Sequence, residues 1–192
     1  MWAKVESGSV TEIYTRPKPI TIGDVQYPKN IFELWSEAEL KAIGIYIVEI
    51  DNTNLKDKEY YYNTNQTFNF ASDKVTASYG SATAKSLIDT TETEGGVTTT
   101  LLGLKNIRKN NINSDAAALL EKHDWMSIRE AEGGTDMPSN IKTWRASIRT
   151  KANAMCNQID SANDVDALKS LYAYNDQDPP VRPLGEFPVE PS

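Results

Sequence analysis

The chain has 192 residues, a formal net charge of −7 and a mean hydropathy of −0.52. That acidity disfavours a protein tracking a phosphate backbone with its whole surface. A single cysteine, Cys156, excludes an internal disulfide and a thiolate zinc cluster. No run approaches the roughly 18 apolar residues of a membrane span, and the opening MWAKVESGSV has no apolar signal core. Aromatics make up 9% of the residues, too much large apolar surface for a wholly disordered chain.

Taken in chain order, residues 1–35 predict short strands and turns. A first hairpin is expected around Glu6-Ser7-Gly8-Ser9, with more extended structure around Gly23-Asp24. Ser36 followed by Glu39 has capping-box spacing. Trp35 and Leu40 stand where a hydrophobic staple would form, and Gly44 marks the end of one short helix. The β-branched run Ile45–Val48 predicts a strand. After a polar stretch at 51–59, Tyr60, Tyr61 and Tyr62 open a second β region. There Phe68 and Phe70 share a face and Ser72-Asp73 joins two strands.

Residues 81–122 are expected to be mostly helical, broken near Gly95-Gly96, where threonines crowd the sequence. Asp124 is placed as the cap of a short helix ending at Gly133-Gly134. Pro138 and Ser139 then introduce the strongest periodic pattern: Ile141, Trp144, Ile148, Ala152, Met155 and Ile159 recur at helical spacing. Asp164 caps a final helix whose inner face carries Val165, Leu168 and Tyr172. The last two helices are expected to pack antiparallel, with Trp125 and Trp144 at their crossing. Residues 175–192 hold five of the nine prolines and predict an extended acidic tail, able to lie in a groove with Phe187 as its anchor.

The expected fold is therefore α+β: a small β-rich N-terminal module with one short helix, then a helical hairpin or small bundle, then the tail. The expected segments are a β-rich docking module at 1–80, a mixed helical connector at 81–122, a helical domain at 123–174 and the tail at 175–192.

The reactive side chains do not assemble into a recognisable motif. His123 is the single histidine; with Asp124 beside it, a capping or surface role outweighs catalysis. Cys156 flanks the apolar stripe of its helix and is expected to be a partly buried structural thiol, not a nucleophile served by His123. Lys142, Arg145 and Arg149 form a basic stripe expected to be solvated. Neither Glu130/Glu132 nor Asp164/Asp166 sits in a glycosidase-like context, and Asp51-Asn52-Thr53-Asn54 lacks the later positions of a calcium loop. No catalytic, cofactor-binding or metal-binding residue is assigned. Trp35, Tyr60, Trp125, Trp144, Arg145 and Phe187 are the expected core or interface anchors.

Two stretches carry a resemblance. One is residues 1–48, MWAKVESGSVTEIYTRPKPITIGDVQYPKNIFELWSEAELKAIGIYIV. The other is HDWMSIREAEGGTDMPSNIKTWRASIRTKANAMCNQID, with Asp124-Trp125 followed by the Trp144-Arg145 pair. They resemble tail-associated proteins of tailed bacteriophages, the second being similar to the C-terminal segment of tail-fibre assembly and tail assembly chaperone proteins. The resemblance covers 1–50 and 123–172 and implies a non-enzymatic structural or adaptor protein of the virion tail. Its implied partners are other tail or fibre proteins and its own copies, not nucleic acid or membrane. A transient assembly chaperone and a receptor- or glycan-binding module using Tyr60–Tyr62 are the alternatives.

Overall fold

The computed structural model describes residues 1–191. The fold is α+β, β-rich in its N-terminal part with a cluster of helices in its C-terminal part, and the chain divides into two compact units, 1–83 and 84 onward.

In the first unit, strands β1 (Trp2–Glu6), β2 (Ser9–Tyr14), β5 (Ile45–Asp51), β7 (Gln66–Ala71) and β8 (Lys74–Tyr79) form one sheet in the order β2-β1-β5-β8-β7. All its pairings are antiparallel except β5 with β8. The outer strands β2 and β7 approach one another, so the sheet curls toward a barrel. The hairpins at Ser7-Gly8 and Ser72-Asp73 form where the sequence predicts them, with left-handed backbone at all four residues. Between β2 and β5 lie the hairpin β3 (Ile20–Ile22)–β4 (Val25–Tyr27) and two short helices, α1 (Ile31–Leu34) and α2 (Glu37–Ala42), where one was expected. The Ser36–Glu39 capping box is complete. A two-residue pair of β6 (Tyr61–Tyr62) and β9 (Thr83–Ala84) completes the strands of this region.

The sheet serves two apolar clusters because successive side chains leave a strand on opposite sides. Trp2 and Ile45 join Tyr14, Ile20, Ile31, Phe32 and Leu40 in one; Ala3 and Val48 join Val75 and Ala77 in the other. Trp35 flanks the first cluster, edge-on to Tyr27 at 5.7 Å.

The second unit opens with a correction. Residues 81–103 contain no helix. Thr90–Glu94 and Val97–Leu101 are strands β10 and β11, paired antiparallel. Threonine's branched Cβ favours the strand, and Gly95 and Gly96, at φ 58° and 83°, make the tight turn that a helix break was expected to be.

Helix α3 (Leu104–Glu121) leads to α4 (Asp124–Ala131), α5 (Ser139–Ser161) and α6 (Val165–Ser170). All six stripe residues of α5 are buried. Its main neighbour is α3, not α6 as expected: three residues separate α5 from α6, and the shorter helix seats itself through Val165 and Leu168. Trp125 does not plug a crossing; it is 53% exposed, with the Arg129 guanidinium over its ring. The cap of α5 is Pro138 and not Ser139, while Asp164 caps α6 as expected.

The last segment has no helix or strand, as the sequence predicts, but its buried anchor is Leu184 and not Phe187. Residues 184–190 lie against the helices, with Leu184 fully buried. Phe187, the expected anchor, is half-buried.

Candidate functional site

Two features of the second unit present chemistry to a partner. The first is the surface where the chain's last segment meets α3 and α5. Trp144 is 5% exposed and His123 7%, and their rings pack tilted at 49° with centroids 5.5 Å apart. Trp144 Nε1 donates to the carbonyl of Pro188 at 3.0 Å. His123 Nε2 lies 3.0 Å from Glu190 Oε1, and Lys122 Nζ lies 3.5 Å from the other carboxylate oxygen. Further along α5, Lys151 Nζ donates to the carbonyl of Leu184 at 2.9 Å. Gly185 follows at φ 73°, a left-handed turn that glycine takes without strain, and a Cβ there would displace the Lys151 tip, 2.4 Å away.

Beneath this surface lies Arg145. The sequence places it both on a solvated stripe and among the core or interface anchors; it is 5% exposed, donating to the carbonyl of Leu120 and to Asp124 Oδ1, the latter at 2.6 Å. Asp124 therefore serves Arg145 and is not the cap of α4. The end of α3 leaves carbonyls without helical partners, and a guanidinium has donors enough to satisfy one of them and a carboxylate together. Of the other stripe members, Lys142 pairs with Glu130 and Arg149 is exposed.

The second feature is the β10–β11 ribbon. All ten strand residues are exposed. The register Thr91↔Thr100 and Thr93↔Thr98 places four threonines on one face, and Thr93 Oγ1 stands 3.0 Å from Thr98 Oγ1. The opposite face carries Thr90, Glu92, Glu94, Val97, Thr99 and Leu101. The base of the ribbon is fixed. Asp89 accepts from Gly103 N at 2.7 Å and from Asn106 Nδ2 at 2.8 Å. Leu104 N and Lys105 N donate to the Ser86 and Leu87 carbonyls, which satisfies two donors of the first turn of α3.

The remaining expected site residues do not converge. Tyr60 is 3% exposed, within the first unit, and only Tyr62, at 64%, opens its ring to solvent, so the three tyrosines offer no continuous stacking platform. His123 and Cys156 have separate partners: the Cys156 thiol points at Asn113 Oδ1, 3.9 Å away. Among the described residues no group of three or more His, Cys, Asp and Glu side chains is placed to hold a metal ion, and no helix is long and apolar enough to cross a membrane. Sequence reasoning missed Leu184. Its signal was weak but present: a lone leucine followed by glycine inside a proline-rich stretch.

Burial pushes the Cys156 thiol up, with Lys109 opposing weakly. Only the thiolate attacks an alkylating agent. Iodoacetamide should therefore modify Cys156 several-fold more slowly at pH 7.5 than it modifies a free cysteine peptide. Its pH–rate midpoint should lie above the free-thiol value of about 8.5. Labelling as fast as the peptide, followed by mass spectrometry, would contradict the burial.

No protein-family model, curated protein or solved structure matches this chain.

Proposed function

We propose that the protein is a non-enzymatic structural adaptor of a bacteriophage tail, working as a homo-oligomer through contacts with its own copies and with other tail or fibre proteins. One observation carries this reading: an ordered two-stranded ribbon with no buried residue. A lone hairpin is marginal in water and gains stability when a further strand or a packed face covers it. Both edges of this one are open, as in strands that receive another chain. Its threonine face bears no charge, so two copies can meet there without repulsion, whereas Glu92 and Glu94 oppose the same pairing on the other face. The resemblance of residues 1–50 and 123–172 to tail-associated proteins supplies the setting.

Light scattering coupled to gel filtration tests the contact. The protein should run as an oligomer at about 100 µM, and Thr91→Lys/Thr98→Lys, which places like charges on the meeting face without setting them directly opposite within one ribbon, should weaken association about tenfold or more. An unaltered circular dichroism spectrum checks that the fold survives. A monomeric wild type at that concentration would overturn the oligomer. Quantitative mass spectrometry of purified particles tests the setting: stoichiometric copies support a virion component, and absence from particles made with its help favours the chaperone.

A further inference from the structure

The segment Leu184–Glu190 lies on α3 and α5 in the manner of a bound peptide. It is held at three separated residues by four different contacts. The Leu184 side chain is fully buried, and the Leu184 carbonyl accepts from Lys151. The Pro188 carbonyl accepts from Trp144 Nε1. The Glu190 carboxylate lies between Lys122 and His123. An indole N–H donating to the carbonyl of a proline in extended chain is a mode of peptide recognition in its own right, and the leucine pocket and basic end fix its direction. The surface thus reads a pattern: leucine, three residues, proline, one residue, glutamate.

The segment is also tied to the chain before it: Leu184 N donates to the Leu171 carbonyl at 3.0 Å, and Glu186 accepts from Tyr174 and pairs with Arg182. Residues 173–181 are all exposed. They carry Asp178-Pro179-Pro180 and are closed on themselves by Asn175, whose N–H donates to the Val181 carbonyl and whose side-chain oxygen accepts from Val181 N. A stretch of nine residues can span about 30 Å when extended. Leu184 is the one buried residue of the segment, so an exchange moves a single buried side chain of the segment itself. Charge favours a like partner locally, despite the net charge of −7: the receiving surface offers the ammonium groups of Lys122 and Lys151, and the segment offers Glu190.

We propose that this surface is an exchangeable docking groove whose second ligand is the Leu184–Glu190 segment of another copy of the chain. In isolation the tethered segment wins, because a short linker holds it at an effective concentration in the millimolar range. Where copies are held side by side, a neighbour's segment competes on equal terms, and the contacts made are the same ones. Such an exchange is a head-to-tail link that closes into a ring or runs on, according to the rotation between copies.

The test uses two full-length variants, both carrying Thr91→Lys/Thr98→Lys so that ribbon contacts do not contribute. In one, Lys122→Glu/Lys151→Glu spoils the groove and leaves the segment intact. In the other, Gly185→Ala/Glu190→Lys spoils the segment and leaves the groove and the Leu184 side chain intact. Neither can satisfy itself, but the first can lend its segment to the second. Mixed at about 100 µM, well below the tethered concentration, they should form a 1:1 heterodimer by native mass spectrometry, with self-association of each alone at least tenfold weaker. A mixture that stays monomeric overturns the proposal. A synthetic peptide of residues 183–191 that binds the second variant without a heterodimer in the mixture also overturns it, and places the groove's partner on another protein. Glu190→Lys alone serves in the second role if the double change unfolds the unit. Because the ribbon is disabled throughout, the result is independent of the oligomer contact proposed above.

Discussion

Replacing Trp144 with alanine is expected to destabilise the second unit by about 3–5 kcal/mol, the largest loss from any single side chain discussed. The indole is 5% exposed. Its loss leaves a cavity beside the His123 ring and removes the N–H that holds the Pro188 carbonyl. Trp144→Phe separates the two contributions. It retains most of the ring volume and gives up the hydrogen bond, so about 1 kcal/mol of the loss should remain. Chemical denaturation followed by circular dichroism measures both, and cleavage by a glutamate-specific protease after Glu186 should accelerate in each, since the Pro188 carbonyl loses its donor in both. An alanine variant that melts with the wild type would remove Trp144 from the core.

Asp124→Ala should cost about 2–3 kcal/mol, far more than an exposed carboxylate normally contributes. The two partners differ in burial: the Asp124 side chain is 56% exposed and that of Arg145 only 6%. Removing the carboxylate strands a buried cation with the Leu120 carbonyl as its remaining recorded partner. Removing the cation strands a carboxylate that water can reach. Arg145→Met, which fills similar space without charge, should therefore be milder than Asp124→Ala, by about 1 kcal/mol or more. Asp124→Asn keeps an oxygen to accept the bond and should fall between them. Equal losses for Asp124→Ala and Arg145→Met, measured by denaturant titration, would show that packing and not the buried charge governs this corner.

The elements that sequence made legible are those governed by neighbours in the chain. The capping box needs Ser36 and Glu39, three residues apart. The hairpins at Ser7-Gly8 and Ser72-Asp73 need two residues able to take left-handed backbone. The stripe of α5 repeats at the helical period. Pairings set by distant residues were not legible. The parallel alignment of Val48 with Val75 has no local signal. Arg145 finds its carboxylate 21 positions away, across a helix junction. The threonine ribbon resembles weakened helix because the sequence after it is helical, although five threonines beyond Thr90 around a diglycine turn favour strands. At the candidate site, Trp144 was anticipated as an anchor, but its hydrogen bond to Pro188 was not. Trp125 is bulky in sequence yet sits on the outward side of α4, a helix with no buried residue. Leu184 owes its burial entirely to helices that precede it.

The unequal faces of the ribbon limit how far an assembly built on it can grow. In the proposed assembly its uncharged threonine side would accept one neighbour. The side then left outward displays Glu92 and Glu94 beside Val97 and Leu101, and a further copy arriving there would meet its own charges. Stacking through this element would therefore terminate at a pair, and extension into filaments would require an acidic-side partner of opposite sign.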